Sequence, residues 1–537
     1  MGHARAARGA RKYCFGAGSR PPLKARAARG ACVGVDHVRG RYVREGALEA
    51  RDYQVALAAE AAAKNCIVVL PTGLGKTAVA LQLIARHLER ARGASLMLAP
   101  TRVLAEQHRR FMLDHLTIED VALVTGEEPQ ARRSRLWFSS VVCATPEIAQ
   151  NDLARGVISP GDFGLVIFDE AHRAVGNYAY TAIAAAFEGT PARLVGMTAT
   201  LPAERAKVKE IVEALHAESV ETRHEKSPDV VKYTQETKTE VIELVLPEGM
   251  AEVQSLIKRA LGVRYSELKS AGIDTGSNRS LSALLRLRAF VLSHRRNAIK
   301  PLFAAIRITY SLNMFEAHGT TAFLRFCERA AKKNASARSL MEDDEHFSAA
   351  VARARALQKG GMEHPKIARL LEILSGTKDK AIVFSSYRDS VEVIRDSLAE
   401  HGITAEMLIG KAGEAGLKQK KQVETVARFR ADEYRVLVTT RVGEEGLDIS
   451  AVNLVVFYDS VPSSIRYVQR RGRTGRHASG RLVSLVTKGT IDVAYHWIGK
   501  KKIRAAQRVG ASVVPRRAKR PRAAPRRKRP ATLDDYV

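Results

Sequence analysis

The sequence has few cysteines, no long hydrophobic run and almost no acidic residues at its two ends. Its 537 residues include 5 cysteines. They are scattered and never spaced Cys-x-x-Cys, which argues against a disulfide scaffold and a zinc cluster and favours the reducing interior of a cell. No apolar run approaches the roughly 18 residues of a membrane-spanning helix, so we expect no membrane contact. Hydrophobic residues still make up 45% of the chain, which excludes wholesale disorder.

Positive charge is concentrated at the ends. Lys and Arg number 87 against 57 Asp and Glu, a formal net charge of +30. Residues 1–44 carry +10 and residues 500–530 carry +14, whereas residues 45–499 carry only +8. Both ends are rich in Arg, Ala, Gly and Pro, so we predict flexible basic arms at 1–44 and 500–537 that hold nucleic acid in a salt-dependent way. An extension without a role, or a targeting peptide, is the alternative for the N-terminal arm.

Between the arms, short apolar runs alternate with amphipathic stretches such as 78–90 and 103–116. Runs of four or five apolar residues are typical of strands that are buried on both faces of a parallel sheet. They lie at 66–70, 95–99, 141–144, 165–168 and 194–197, and in a second series at 381–384, 436–439, 454–457 and 482–485. The alternation indicates βαβ units. We therefore predict an α/β fold with two parallel-sheet lobes, at residues 45–218 and 361–499.

The region between the predicted lobes has a different pattern. Residues 249–360 are rich in Ala, Leu, Arg and Glu and have apolar residues at helical spacing, which indicates an inserted helical domain. Residues 219–248 form the connection that precedes it. Within that connection, polar and apolar residues alternate over 233–246, which predicts a strand that joins the sheet of the second lobe.

A glycine-bearing loop follows the first apolar run and precedes a helix. Its residues are Pro71, Thr72, Gly73, Leu74, Gly75, Lys76 and Thr77. Backbone N–H groups and the helix dipole make such a loop a phosphate site. Lys76 would reach the β- and γ-phosphates of ATP, and the Thr77 hydroxyl would ligate Mg²⁺. The strict GxxxxGK[ST] pattern fails because Leu70 stands at its first glycine, and the loop fits the variant PTGxGKT instead.

Two carboxylates follow a later strand, in the sequence Asp169-Glu-Ala-His172. The carboxyl ends of parallel strands border the ligand crevice of an open α/β sheet. We therefore expect Asp169 to hold Mg²⁺ and Glu170 to orient or deprotonate the attacking water. An acidic strand end in ordinary solvent is the alternative.

The second predicted lobe contains the cationic segment Gln469-Arg-Arg-Gly-Arg-Thr-Gly-Arg476. The planar guanidinium groups of Arg473 and Arg476 suit the charge that develops on a transferring phosphoryl group. Such a run on its own is more often a solvated or nucleic-acid-binding face. Together with the phosphate loop and the carboxylates, it predicts an arginine finger that closes a cleft between the lobes.

Nine motifs of this kind occur in order along the chain. They are Arg51-Asp-Tyr-Gln54, PTGLGKT, Ala99-Pro-Thr-Arg102, Ala144-Thr-Pro-Glu147, DEAH, Thr198-Ala-Thr200, Phe384-Ser-Ser-Tyr387, Val442-Gly-Glu-Glu-Gly-Leu-Asp448 and QRRGRTGR. The set resembles that of superfamily 2 DEAH-type helicases. Longer strings at 169–180, 227–230 and 441–448 resemble the archaeal Hef helicases, relatives of eukaryotic FANCM, and the similarity covers about residues 48–500.

This resemblance implies two RecA-like lobes, ATP and Mg²⁺ as cofactors, and an ATP-dependent DNA helicase or translocase acting on forked or branched DNA in fork repair and recombination. It places the protein in an archaeal cytoplasm, at the nucleoid.

The resemblance also implies roles for matching residues. In the nucleotide site they are Gln54 for adenine, Asp448 for the ribose, and Gln469, Arg473 and Arg476 for the γ-phosphate. Outside it they are Thr198 and Thr200 for coupling to the nucleic-acid groove, and Arg102, Thr145 and Ser385 for strand contacts.

The departures from the family pattern matter as well. The nuclease that archaeal Hef often carries has an ERKxxxD signature, and the only near match here, at 328–330, lacks the rest, so we expect no XPF-like nuclease activity. The insertion resembles a thumb that grips DNA, with an ordinary solvated helix face as the alternative for its Arg286, Arg288, Arg295 and Arg296. Leu533 and Tyr536 weakly resemble a sliding-clamp docking motif, with a frayed terminus as the alternative.

Two other functions stay open at this point. Relatives with the same motor and a helical insertion act on RNA or double-stranded RNA, and a groove that tracks the backbone gives few sequence cues to the 2′-hydroxyl. A non-enzymatic DNA-binding scaffold is the alternative from another class. It would be favoured by a degraded phosphate loop, DEAH or arginine segment, and none of the three is degraded.

Overall fold

A computed structural model describes residues 36–90, 93–235, 237–276, 279–410, 419–444, 449, 451–474 and 480–512. Several predictions fall outside these residues, namely those for Asp448, Arg476, Leu533 and Tyr536 and for the ends at 1–35 and 513–537. Within the described part of the chain, no helix combines the length and the apolar character needed to cross a membrane.

The first lobe is built on a seven-stranded sheet in which every described pairing is parallel. Its strands are β1 (Cys66–Val69), β2 (Ala94–Leu98), β3 (Val121–Val124), β4 (Val141–Ala144), β5 (Phe163–Asp169), β6 (Arg193–Thr198) and β7 (Ser219–Thr222). They lie in the order β3-β4-β2-β5-β6-β1-β7. The end of β6 therefore lies between the loop after β1 and the carboxylates that follow β5.

Helices cover both faces of this sheet. They are α1 (Asp52–Ala63), α2 (Lys76–Arg90), α3 (Arg102–His115), α4 (Gln130–Leu136), α5 (Pro146–Ala154), α6 (Ala179–Ala186) and α7 (Arg205–Ala214). Alternate residues of β1 face the two layers: Cys66 and Val68 pack with α1 to α3, and Ile67 and Val69 with α5 to α7. Burial on both faces is the reason that the central strands have no polar alternation.

The first lobe extends beyond its predicted bounds at both ends. Val38 and Val43 are buried in its core, and Val43 forms a bridge to Leu116. Residues 36–44 thus belong to the folded lobe and not to the predicted arm. At the other end, β7 pairs with β1 along its whole length, so the sheet continues past residue 218. The sequence missed β7 because its four residues are all partly exposed at the sheet edge.

The helical domain consists of α8 (Glu248–Ser270), α9 (Leu281–His294), α10 (Ile299–Lys333), α11 (Ala335–Asp343) and α12 (Glu345–Lys359). Helix α10 is interrupted at Gly319, where φ is 90° and ψ is −171°. A Cβ at this position would lie 2.8 Å from the Cβ of His364. The close approach of α10 to the segment before the next helix therefore requires glycine.

The second lobe is a six-stranded sheet, again parallel in each described pairing. Its strands are β8 (Thr237–Leu244), β9 (Ala381–Phe384), β10 (Ala405–Leu408), β11 (Val436–Thr439), β12 (Leu454–Phe457) and β13 (Gly480–Thr487), in the order β10-β11-β9-β12-β13-β8. Its helices are α13 (Pro365–Ser375), α14 (Arg388–Glu400), α15 (Gln419–Arg430), α16 (Ser464–Arg471) and α17 (Ile491–Ser512). Strand β8 confirms the predicted strand that precedes the insertion, and the two-lobed α/β prediction is confirmed.

Helix α17 corrects the predicted C-terminal boundary. It continues through Ser512, so residues 500–512 are helical and not part of a flexible tail. The helix packs against α16 and β13 of the second lobe and also against β7 of the first lobe. Lys502 Nζ lies 3.6 Å from Glu204 Oε1, just before α7. The end of the described chain therefore contacts both lobes.

A buried ion pair lies where the helical domain meets the second lobe. Lys366 on α13 is fully buried, and its Nζ lies 2.5 Å from Asp492 Oδ2 at the start of α17. The same ammonium donates to the carbonyl of Ala317 on α10 at 3.2 Å. Burial raises the pKa of Asp492, and the charge of Lys366 opposes that rise. Three helices from the two parts of the molecule are thus tied to one cation.

Buried polar groups of α10 extend this junction. The Oε2 atom of Glu316 accepts a hydrogen bond from the N–H of Ile491 at 2.8 Å, and its Oε1 accepts one from Gln254 Nε2 at 2.7 Å. The imidazole of His364 lies 3.0 Å from the Glu316 carbonyl and accepts from the N–H of Lys366 at 3.2 Å. Burial lowers the pKa of His364 well below its usual range, so the ring stays neutral and keeps its acceptor nitrogen.

Candidate functional site

The predicted phosphate loop lies between the end of β1 and the start of α2. Gly73 and Gly75 have φ values of 90° and 80°, in the left-handed region that side chains disfavour. A Cβ on Gly75 would also lie 2.5 Å from Gln54 Nε2. Helix α2 begins at Lys76, so the N–H groups of Lys76 and Thr77 have no carbonyl acceptor within the helix, and both residues line a cavity. The backbone thus forms a cradle suited to phosphate.

Helix α1 holds this loop in place. The Tyr53 hydroxyl donates to the carbonyl of Leu74 at 2.8 Å, and Gln54 Nε2 donates to the same carbonyl at 3.0 Å. Burial raises the pKa of Tyr53, so the phenol keeps the proton that it donates. Gln54 was predicted to contact adenine. In this structure its side chain forms a hydrogen bond to the loop. Tyr53 was not predicted, and the only available signal was its position beside Gln54.

The predicted metal ligand Asp169 ends β5 in a buried position. His108 on α3 donates from Nε2 to its Oδ2 at 2.9 Å. Burial works against ionisation of Asp169, but the hydrogen bond from His108 and the charge of Lys76 hold its pKa below the usual value. The carboxylate is therefore charged at neutral pH and suited to a divalent cation. His108 was not predicted, because it lies 61 residues from Asp169 along the chain, in helix α3.

Glu170 has an unusual backbone and an unused carboxylate oxygen. Its φ of 50° is left-handed, a conformation that costs energy for a residue with a Cβ. Its Oε2 is buried and lies 3.2 Å from His172 Nδ1, but it forms no hydrogen bond. That nitrogen lies 3.1 Å from Thr198 Oγ1, which in turn donates to the carbonyl of Thr200 at 2.9 Å. Glu170 is thus held next to a polar chain that leads to the predicted coupling residues.

The second lobe contributes Gln469 and Arg473 to the same cleft. Arg473 donates from Nη2 to the carbonyl of Glu444 at 2.8 Å. The Glu444 carboxylate accepts from Arg466 Nη2 at 2.8 Å and from Arg470 Nε at 2.7 Å. Glu444 thereby fixes the arginine-rich segment. Arg470 is fully buried and has this structural role, which the sequence did not separate from that of Arg473.

Residues of both lobes line a cavity of about 1140 Å³. The first lobe supplies Lys76, Thr77 and Glu170, and the second supplies Gln469 and Arg473. Its volume is slightly above the range of small-molecule sites, about 300–1,000 Å³. Positive-φ glycines, a charged Asp169 and an unbonded Glu170 oxygen all fit a nucleoside triphosphate with its metal ion. The sequence-predicted residues of the two lobes therefore converge on one cleft.

The two lobes touch at the mouth of this cleft. Thr72 Oγ1 in the phosphate loop donates to the carbonyl of Val468 on α16 at 3.2 Å. Gly472, just after α16, has no room for a side chain, because a Cβ there would lie 2.2 Å from Thr72 Oγ1. A second contact joins Arg471 and Glu225 at 2.6 Å. The absence of a side chain at Gly472 thus lets the second lobe reach the phosphate loop.

Replacing Gly472 with Ala is expected to lower kcat for ATP hydrolysis by about 10- to 100-fold, because a shift of about 1 Å in catalytic geometry has effects of this size. The added methyl would push α16 away from Thr72 and move Arg473 out of reach of the phosphates. Steady-state ATPase assays measure the effect. Gly262→Ala in α8, where a Cβ meets nothing within 4 Å, is the control. Wild-type kcat for Gly472→Ala would contradict this closure geometry.

The predicted strand-contact residues occupy different environments. Arg102 lines the inter-lobe cavity and forms an ion pair with Glu127. Thr145 lies at the carboxyl end of β4 and is partly exposed. Ser385 is fully buried, so its hydroxyl does not reach a bound strand in this structure, and the prediction for its side chain is not supported. Its neighbour Ser386 is partly exposed, and its N–H donates to Asp459 Oδ2 at 3.2 Å.

Two family comparisons match the two lobes separately. The DEAD/DEAH box helicase family matches residues 51–208, and the helicase conserved C-terminal domain matches residues 365–478. The fold, the cleft and these matches define the class as an ATP-binding DEAD/DEAH-box helicase core.

A solved structure narrows this class. The crystal structure of the Pyrococcus furiosus Hef helicase domain has a TM-score of 0.63 and 35% sequence identity with this chain. The match covers 83% of this chain and 97% of that one. The chain belongs to the Hef family of helicases, as its motifs predicted.

Two curated relatives are also named as ATP-dependent helicases. A putative ATP-dependent RNA helicase of Methanocaldococcus jannaschii is 36% identical over 478 residues, which cover 86% of this chain and 61% of the relative. The ATP-dependent DNA helicase mph1 of Neurospora crassa is 32% identical over 479 residues, which cover 82% of this chain and 41% of the relative. The chain thus spans between about two fifths and three fifths of the length of these two relatives.

Proposed function

We propose that this protein is an ATP-dependent DNA helicase or translocase that acts on forked or branched DNA during fork repair and recombination. The proposal rests on the cleft between the lobes, in which Lys76 and Glu170 of one lobe face Arg473 of the other. Such an arrangement makes hydrolysis depend on lobe closure, and closure is the movement that a motor uses.

The cleft residues have distinct proposed roles in hydrolysis. Lys76 and the N–H groups at the start of α2 hold the phosphates, and Thr77 and Asp169 hold Mg²⁺. When bound, the ion neutralises charge on the phosphate oxygens. Glu170 Oε2 orients the attacking water and accepts its proton, for which its missing hydrogen bond leaves it available. Arg473 stabilises the charge that develops on the transferring phosphoryl group.

The polar chain from the carboxylates supports the proposed coupling. His172 lies within hydrogen-bond distance of Thr198, and Thr198 donates to Thr200. Since Thr198 is the last residue of β6, a change at Glu170 is transmitted to the segment that follows this strand. That segment leads away from the nucleotide cradle, where the family resemblance places the nucleic-acid groove.

Several observations favour DNA over RNA as the nucleic acid on which the protein acts. The Neurospora relative is named as a DNA helicase. The helical domain has four exposed arginines in α9 and the turn after it, Arg286, Arg288, Arg295 and Arg296, and their charge suits contacts with phosphates on a branched substrate. RNA remains the second candidate, because the Methanocaldococcus relative is named as a putative RNA helicase. A non-enzymatic scaffold is disfavoured, because the hydrolytic residues are all present and the described ones converge.

Lys76→Ala is expected to abolish ATP hydrolysis while leaving DNA binding largely intact, because it removes a phosphate ligand and leaves the outer surfaces unchanged. ATPase and strand-separation assays should use forks, Holliday junctions, plain duplex and matched RNA with the full chain. Forked DNA is expected to stimulate the wild type more strongly than RNA. DNA-stimulated hydrolysis by Lys76→Ala at the wild-type rate would contradict the assignment, and stronger stimulation by RNA would favour the second candidate.

Two finer predictions accompany this proposal. Docking on a sliding clamp would use Leu533 and Tyr536, which lie outside the described residues. Association with the nucleoid follows from DNA as the substrate, and an archaeal cell is inferred from the resemblance to archaeal Hef helicases.

A further inference from the structure

The outer face of α17 presents an exposed tryptophan. The chain has 2 Trp residues, and their environments differ. Trp137 is buried to 2% exposure, and its Nε1 donates to Asp152 at 2.9 Å. Trp497 is 62% exposed. Its ring is therefore open to solvent, where a bound molecule can reach it.

Basic residues flank Trp497 along the same helix. Lys501, Arg504 and Arg508 follow Trp497 at intervals of four, seven and eleven residues, which places all four on one side of a helix. All three basic side chains are exposed. Lys500 Nζ lies 5.3 Å from the centre of the Trp497 ring. Trp497, Lys501, Arg504 and Arg508 together are called the α17 stripe. After Asp492, α17 has no acidic residue through Ser512, so every charge on the stripe is positive.

This surface is separate from the predicted strand groove. Helix α17 packs against β7, the last strand at one edge of the first sheet. Arg102 and Thr145 follow β2 and β4, which lie toward the opposite edge. The α17 stripe is therefore not part of the motif-lined track between those loops, nor does it line the ATP cleft.

We propose that the outer face of α17 binds a single-stranded DNA arm of the substrate, with Trp497 stacked on a base and Lys501, Arg504 and Arg508 against the phosphates. This inference rests on the proposed function, which supplies DNA as the substrate. An aromatic ring interleaved with cations is how single strands are held without sequence preference. The uniform positive charge complements a phosphate backbone, and it favours this occupant over a protein segment.

Equilibrium titration of the full chain with oligothymidine and with a fork that has a single-stranded arm tests the proposal. Trp497→Ala should weaken binding to the single strand and to the fork about fivefold or more, the size expected for one lost stacking contact. Binding to blunt duplex should be unchanged. Trp497→Phe keeps a ring and should retain wild-type affinity, whereas Ile498→Ala, an exposed neighbour on the same helix, is the matched control.

Two further readouts separate stacking from charge. Wild-type tryptophan emission should be quenched by the single strand, and Trp497→Phe should lose this quenching, because only Trp137 remains. Lys501→Gln and Arg504→Gln should each reduce the slope of log affinity against log salt by about 0.7. Lys378→Gln, an exposed change before β9, should leave the single-strand salt slope unchanged.

Equal single-strand affinity for Trp497→Ala and the wild type overturns the proposal, as would equal losses for Trp497→Phe and Trp497→Ala. A face that docks a protein instead would leave DNA affinity and quenching unchanged in every variant. Failure of the proposed function looks different: wild-type ATPase would not respond to DNA at all, whatever the affinities.

Discussion

Glu170→Gln is expected to lower kcat for DNA-stimulated ATP hydrolysis by about 10²- to 10⁴-fold, the usual contribution of a general base. The amide keeps the size of the side chain but does not accept the proton of the attacking water. Nucleotide affinity should change little, because Lys76, Thr77 and Asp169 are untouched. The result is therefore a large effect on kcat with a small effect on KM, which steady-state ATPase assays at saturating DNA separate.

The control for this variant is Glu188→Gln, which removes an exposed carboxylate from the same lobe. It should hydrolyse ATP at the wild-type rate. If Glu170→Gln also kept wild-type kcat, Glu170 would not be the base, and its left-handed backbone would need another explanation. A rise in KM without a fall in kcat would assign the residue to nucleotide binding instead.

Lys366→Ala is expected to lower the free energy of unfolding by about 3–5 kcal/mol, because it leaves a buried carboxylate without its partner. The ammonium that is lost has no exposed surface and contacts both Asp492 and the carbonyl of Ala317. Denaturant unfolding of the full chain measures the change. The transition that contains the helical domain and the second lobe should shift, because the ion pair lies at their junction.

Two comparisons identify the cause of that loss. The double variant Lys366→Met with Asp492→Leu should recover much of the stability, because a buried ion pair is often replaced by apolar residues at little cost. Arg481→Ala breaks a half-exposed pair with Glu240, 2.8 Å apart, and should change stability by no more than about 1 kcal/mol. Equal losses for Lys366→Ala and Arg481→Ala would contradict the importance of burial.

The sequence predicted the central strands of both sheets and the edge strand β8, but it missed the edge strands β3, β7 and β10. Strands such as β1 and β9 are buried on both faces and consist only of apolar residues, so the pattern is unambiguous. Strand β10 lies at a sheet edge, and three of its four residues are partly exposed, which mixes polar with apolar residues. The lobe boundaries shifted for the same reason, because β7 reads as a connection until its pairing with β1 is known.

The candidate site was predictable where its chemistry lies in contiguous motifs. The phosphate loop, the two carboxylates and Arg473 were found in this way and converge on one cleft. Tyr53, His108 and Glu444 were missed because they act through hydrogen bonds to residues 21, 61 and 29 positions away. Contacts at such separations depend on tertiary packing, to which a linear pattern gives no access.

Helix α17 changes how the lobes can move relative to each other. The chain between β7 and β8 joins them once, and α17, which spans about 33 Å at 1.5 Å per residue, joins them again by packing on β13 and β7. These two separate attachments define an axis of rotation for one lobe relative to the other. We therefore expect the cleft to open by rotation about that axis, which would return Arg473 to the phosphate loop along the same path in each cycle.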